Sequence, residues 1–283
     1  MNLIGTGTSG SVHRAIHKPT GFYLAIKSIK IYDKNTQDQL NNDLKVLCEN
    51  KCRNIITVYG AFFTEGNVKI ILEYMNLGSL DKILKVIKSK KLPPPCIPEN
   101  ILSKITKQIL LGLSYLHKEK HQIHLNIKPT NILINTDGVV KLTDFVISPS
   151  LETSQNFADT FIGSKCYMSP ERITGKKYSY SSDLWSLGLV IYELATGEEP
   201  YDGGSDFLTQ ITKIVESPEP RLNSNIFSKE FCNFIELTVK KEDNKRGNID
   251  ELLNHPWILM HDNNKDKYSI VKWLAFLYDY DYD

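Results

Sequence analysis

Residues 124–144 read HLNIKPTNILINTDGVVKLTD. Two apolar runs, Ile132–Ile134 and Val139–Leu142, flank Asn135-Thr136-Asp137-Gly138. An Asp-Gly pair between apolar runs is a hairpin signal, because the tight turn needs residues that tolerate positive φ. A hairpin brings its own ends together, so Asn131 and Asp144 are expected to be neighbours. An amide oxygen beside a carboxylate suits Mg²⁺, which prefers one or two protein oxygens shared with phosphates. Lys128 lies on the same loop and can neutralise a phosphoryl group. The same residues also fit a surface hairpin flanked by ordinary polar side chains.

Upstream, Gly5, Gly7 and Gly10 form G-x-G-x-x-G. A dinucleotide fold needs a helix directly after the third glycine. Here SVHRAIH at 11–17 is strand-like, and Lys18-Pro19-Thr20-Gly21 is a turn signal before FYLAIKSIKI at 22–31. The glycines therefore join two antiparallel strands as a flap whose N–H groups can lie over phosphates. Val12 follows the last glycine by two and is placed to cap an adenine ring. Lys27 lies on the second strand, on the same face as Ala25 by the period of two, within reach of phosphate oxygens. A glycine turn beside a solvated lysine is the competing interpretation.

Residues 37–49 carry a helical period through Leu40, Leu44, Leu47 and Cys48, and strand-like runs follow at 55–63 and 68–74. Beyond the proline loop LPPPCIP at 92–98, Ile101, Ile105, Ile109, Leu113 and Leu116 mark a helix, with Pro98 expected at its first position. The remainder is mostly helical apart from the hairpin. The expected fold is α+β and bilobal, with a small β-rich lobe over 1–75 and a larger helical lobe over 76–283.

Composition narrows the partners. The 283 residues are 41 % apolar and 24 % charged, with a formal net charge of +1. That balance disfavours a nucleic acid as the main partner. No apolar run reaches the roughly 18 residues of a membrane span; the longest, around Leu187–Leu194, is interrupted by Tyr192 and Glu193. The five cysteines are scattered without a CxxC pair, against both a disulfide framework and a zinc site, so a reducing cytosol or nucleus is the default, and a cytoplasmic location is expected.

Taken in order, GTGTSGSV at 5–12, LAIK at 24–27, HLNIKPTN at 124–131, DFV at 144–146, SPE at 169–171, SDLWSLG at 182–188 and Arg246 near HPW resemble the motif series of a eukaryotic protein kinase domain. Residues 58–81 and 160–201 are most similar to MAP kinase kinases. The resemblance implies ATP and Mg²⁺ as cofactors, a MAP kinase as the protein substrate and an upstream kinase as activator. It implies an adenine pocket of Ile4, Val12, Ala25, Leu72 and Leu133, with main-chain groups of Glu73 and Met75 at the adenine edge. It places Lys27 on the phosphates with Asp43 as its helix partner, and Asn131 and Asp144 on the metal. It further implies a buried Glu171–Arg246 pair, and Asp183 and Trp185 as anchors of a central helix. His124 and Phe145 are expected in the core. Ser154 and Thr160, six apart as in plant-type members, are the candidate phosphorylation sites.

The departures bear on activity. Asn126 stands where the family has the Asp that accepts the substrate hydroxyl proton. Asn is neutral and cannot take up that proton, and a lost general base typically costs 10² to 10⁴ in rate. Leu125 replaces the Arg that pairs with an activation-segment phosphate. Val146 replaces the freely rotating Gly of D-F-G. Asp43 is about 1.5 Å shorter than the family's Glu. The expected function is a MAP kinase kinase-like domain that binds Mg·ATP with weak or absent transfer, a pseudokinase. Two alternatives stay open: a fully active dual-specificity kinase in which Asn126 orients the hydroxyl, and an interaction domain without nucleotide. The chain starts almost at the glycine flap, where the family usually carries a preceding docking segment, and a missing N-terminal segment is a further expectation.

Overall fold

The computed structural model describes residues 2–7, 10–30, 50–64, 66–92, 96–144, 167–201, 206–262 and 269–279. Asp43, Phe145, Val146, Ser154 and Thr160 lie outside the described residues, as does the helical period at 37–49. The described residues fall into two compact units, the first ending at Asn76 and the second beginning at Leu77.

The first unit is a five-stranded antiparallel sheet in the order β1-β2-β3-β5-β4, built from β1 (Asn2–Gly7), β2 (Gly10–Ile16), β3 (Tyr23–Lys30), β4 (Val58–Thr64) and β5 (Asn67–Glu73). The Pro19-Thr20-Gly21 turn closes the β2–β3 connection, with Gly21 at φ 74° and its N–H donated to His17 O at 2.8 Å. Val58, Val68 and Ile70 form a buried cluster, with Ile29 and Leu72 packed against it. Along β3, Ala25 and Lys27 lie two apart on one face and are buried, while Ile26 and Ser28 on the opposite face are half-buried.

The second unit is mainly helical. Its small sheet has the order β6-β7-β8, from β6 (Gly78–Ser79), β7 (Ile132–Ile134) and β8 (Val140–Leu142). The hairpin of β7 and β8 is the one the Asp-Gly turn predicts, with Gly138 at φ 72°. The Glu99–Ser114 helix buries Ile101, Ile105, Ile109 and Leu113, one apolar stripe at helical spacing. Leu116, the last residue of that stripe, is buried in a π turn over Tyr115–Glu119. Pro98 caps this helix instead of opening it: its φ is −55° and ψ 140°, and its carbonyl accepts from the N–H groups of Ile101 and Leu102. The Ser181–Thr196 helix is buried along most of its length and ends at Gly197, whose φ of 78° stops it. Among the described residues no helix is long and apolar enough to cross a membrane.

Candidate functional site

In the sheet unit, β1 and β2 form the glycine flap, with Gly7 opposite Gly10 and Gly5 opposite Val12. Gly10 is dictated by packing: its φ is 133°, and a Cβ there would lie 1.8 Å from the Ser28 carbonyl oxygen. On the next strand Val12 pairs with Lys27, and Ala25 pairs with Leu72 of β5. Directly paired residues share a sheet face, so Val12, Ala25, Lys27 and Leu72 belong to one surface. Lys27 is only 9 % exposed, and a lysine buried on an apolar sheet face is suited to an anionic partner. Ile4 sits at an irregularity of the β1–β2 register and is exposed. Glu73 is tied to the segment before β4: its N–H donates to Thr57 O at 3.0 Å and its carboxylate accepts from the Thr57 N–H at 3.3 Å. Met75 is buried two residues on.

In the helical unit, the 124–131 loop is held from below by one carboxylate. Asp183, 1 % exposed on the Ser181–Thr196 helix, accepts the N–H of His124 at 2.7 Å and of Leu125 at 2.8 Å. It also pairs with His117 Nε2 at 2.8 Å. Leu125 takes a left-handed φ of 61° and its carbonyl accepts from Arg172 Nη1 at 2.8 Å. Leu125 is thus fixed through both of its main-chain polar groups. His124 is buried, and burial pushes its pKa down against the opposing pull of Asp183 and Asp144.

The hairpin ends meet as the turn requires. The Thr143 N–H donates to Asn131 O at 3.0 Å, which sets Asp144 beside Asn131. Asn131 Nδ2 donates to Asn126 O at 2.9 Å, so the amide nitrogen is engaged and the oxygen is the end suited to a cation. Asp144 is half-buried, with a left-handed φ of 57°. Among the described residues no group of three or more His, Cys, Asp or Glu could hold a metal. An amide and a carboxylate are the donor set of a Mg²⁺ that draws its other ligands from phosphates and water. The chemistry of these two donors fits that ion. Lys128 is half-buried ahead of a 3₁₀ turn at Pro129–Asn131, and Leu133 lies on β7.

A family model for the protein kinase domain matches residues 1–258. The chain is 42 % identical over 282 residues to mitogen-activated protein kinase kinase 3 of Arabidopsis thaliana, covering 99 % of this chain and 52 % of that protein. It is 39 % identical to mitogen-activated protein kinase kinase 2 of the same plant, covering 99 % of this chain and 76 % of the relative. It is 37 % identical to the dual specificity mitogen-activated protein kinase kinase dSOR1 of Drosophila melanogaster, covering 91 % and 69 %. The chain belongs to the protein kinase family, among the MAP kinase kinases. It spans about half the length of the first of these relatives. The α+β architecture of a β-sheet unit and a helical unit is that of this kinase family.

Within this kinase domain, Glu171 and Arg246 form the buried pair expected of them. Two guanidinium nitrogens reach the two carboxylate oxygens at 2.8 and 2.7 Å, and Ser182 Oγ donates to Glu171 at 2.6 Å. Burial raises the Glu171 pKa, but these hydrogen bonds and the arginine charge outweigh it and hold the group at about 2. Arg246 also lies over the Trp185 ring, 5.1 Å from its centroid. Sequence reasoning missed three contributors to the loop: His117 behind Asp183, Arg172 on the Leu125 carbonyl, and the use of Asp183 as an acceptor for two loop amides. Position 172 follows the SPE motif directly, but nothing in its spacing points to residue 125.

Proposed function

We propose that this kinase domain binds ATP with Mg²⁺ and transfers the γ-phosphoryl group to a MAP kinase slowly or not at all. The observation that carries the proposal is the Thr143–Asn131 hydrogen bond, which keeps Asn131 beside Asp144. An amide oxygen and a carboxylate at that junction would hold the metal. Bound Mg²⁺ would supply charge neutralisation across the phosphate oxygens.

The chain's own groups would then divide the work. The flap glycines Gly5, Gly7 and Gly10 would present main-chain N–H groups to the phosphates, with Lys27 adding a buried positive charge. Val12, Ala25, Leu72 and Leu133, with Ile4 at the rim, would enclose the adenine. Glu73 would offer its carbonyl and Met75 its N–H to the adenine edge. Asp43 remains the proposed partner of Lys27. Lys128 would neutralise the phosphoryl group in flight. Asn126 would stand beside the substrate hydroxyl without a proton-accepting carboxylate, which is the reason for slow transfer. An upstream kinase acting on Ser154 and Thr160 and a cytoplasmic setting belong to the same proposal; nucleic acid and membrane partners do not.

Two measurements test it. Mg·ATP at about a hundred times its Kd stabilises a protein by about 2.7 kcal/mol, which should raise the thermal midpoint by roughly 5–10 °C for a chain of this size; a flat titration overturns nucleotide binding. Transfer to a panel of MAP kinases should run about 10²–10⁴ below the 1–100 s⁻¹ of ordinary kinases. A rate inside that ordinary range overturns the slow-transfer proposal and leaves binding intact.

A further inference from the structure

Asn126 does more than lack a charge. Its Nδ2 donates to the main-chain carbonyl of Asp144 at 3.2 Å. Only the nitrogen end of an amide can face a carbonyl oxygen favourably, so the orientation follows from the acceptor. Two further bonds complete a ring. Asn131 Nδ2 donates to the carbonyl of Asn126, and Thr143, the residue before Asp144, donates its N–H to the carbonyl of Asn131. The ring thus runs from Thr143 through Asn131 and Asn126 to Asp144. Asp144 holds a left-handed φ of 57°, a conformation that L-residues rarely keep without support.

We infer that Asn126 is a positioning residue: its amide tethers the Asp144 main chain and fixes the direction in which the Asp144 carboxylate is presented. An ionised aspartate at the same position has the same shape but no N–H. It would set a carboxylate oxygen against the Asp144 carbonyl at about the distance where the amide now donates. The single change from acid to amide therefore removes a proton acceptor and adds a tether. Converting Asn126 to Asp returns the acceptor and breaks the tether, so it does not simply restore a kinase. The role of Asp144 as a metal ligand rests on the function proposed above; the tether itself does not.

The test uses Asn126→Asp and Asn126→Ala beside the wild type. In ligand-free protein with ¹⁵N-labelled asparagine, the Asn126 side-chain amide is identified by its loss in both variants. It should exchange with solvent at least about tenfold more slowly than exposed asparagines, and the Thr143 amide should exchange faster in both variants. The thermal midpoint should fall by roughly 2–4 °C in the Asp variant despite its matching shape, the loss expected for one net hydrogen bond. With ADP as probe, the gain in affinity on adding Mg²⁺ should shrink about tenfold in the Ala variant while metal-free ADP affinity holds, as for a lost partner of a metal-ligating carboxylate. A merely structural role would lower the midpoint and leave that Mg²⁺ gain unchanged, which overturns the positioning role. Fast exchange of the Asn126 amide, or an Asp variant as stable as the wild type, overturns the tether. A wild type that binds no Mg·ATP overturns the proposed function, and the exchange and midpoint measurements still decide the tether.

Discussion

Two parts of the helical unit have been treated differently. Glu171 and Asp183 are buried carboxylates with every oxygen engaged: Glu171 by Arg246 and Ser182, Asp183 by His117 and two loop amides. The 124–131 loop, which Asp183 supports, departs from the family at adjacent positions, Leu125 and Asn126. The contacts explain how both can be true. Asp183 and Arg172 hold the loop by main-chain groups of His124 and Leu125, and main-chain groups are present whatever the side chain. The framework carboxylates have no such latitude, because removing one strands its buried partners. The loop can therefore keep its shape when its side chains change.

The largest expected effect is at Asp183. Asp183→Ala leaves the His124 and Leu125 N–H groups and the His117 ring without their acceptor. At about 1–3 kcal/mol for each of the three stranded groups, the loss is about 3–9 kcal/mol, much of the stability of an ordinary domain. Denaturant unfolding measures it, and a loss under about 1 kcal/mol would mean the loop is held by something else. Next is the Glu171–Arg246 pair, where Arg246→Ala strands a buried carboxylate at about 3–5 kcal/mol. Its pH signature is distinct. Glu171 is held at about 2, below its ordinary 4.5, so its contribution is complete above about pH 4.5 and lost as the pH falls towards 2. At about 1.36 kcal/mol per unit, that limb is worth about 3 kcal/mol. Burial lowers the His124 pKa from 6.5, so the unfolded chain takes up that proton first and stability begins to fall below about pH 6.5. The double change Glu171→Leu with Arg246→Met should abolish the lower limb and leave the upper one.

The same contrast explains what was legible in the sequence. The β7–β8 hairpin was readable because its signal is local: an Asp-Gly turn between two apolar runs. The Glu99–Ser114 helix announced itself by its period, and Lys27 shares a buried face with Ala25 because strands alternate. The meeting of Asn131 and Asp144 then followed from chain geometry. What was not legible is defined by partners far along the chain. Strand β6 is two residues long and exists only through pairing with β7. The Asp183 grip joins residues almost sixty apart, and Arg172 reaches Leu125 across 47 positions. Pro98 was placed one position too late because its carbonyl, not its ring, does the capping. The Asn126 tether was hidden for another reason: a substitution shows which group was lost, but only coordinates show what the new group touches.

A smaller effect is expected in the sheet unit, where the constraint is on space. Gly10→Ala would force a Cβ to within 1.8 Å of the Ser28 oxygen at a φ of 133°, so the strands must separate. A cost of about 1–3 kcal/mol is expected, seen as faster hydrogen exchange across β1 and β2, with the helical unit unchanged. Loss of the Mg·ATP-dependent rise in thermal midpoint should accompany it.

The smallest effect should be at Leu125. Its grip is through the main chain, its φ of 61° is imposed by Asp183 and Arg172, and its side chain is only half-buried. Leu125→Arg returns the family's residue to a backbone already bent to receive it. The unmodified protein should change in stability by less than about 1 kcal/mol, within roughly 4 °C of thermal midpoint. The gain should appear only when a phosphate is available to pair with the new guanidinium. A drop well beyond that range in the unmodified protein would show that the leucine side chain packs as framework, and the separation between a fixed main chain and replaceable side chains would fail at the position where it is drawn most sharply.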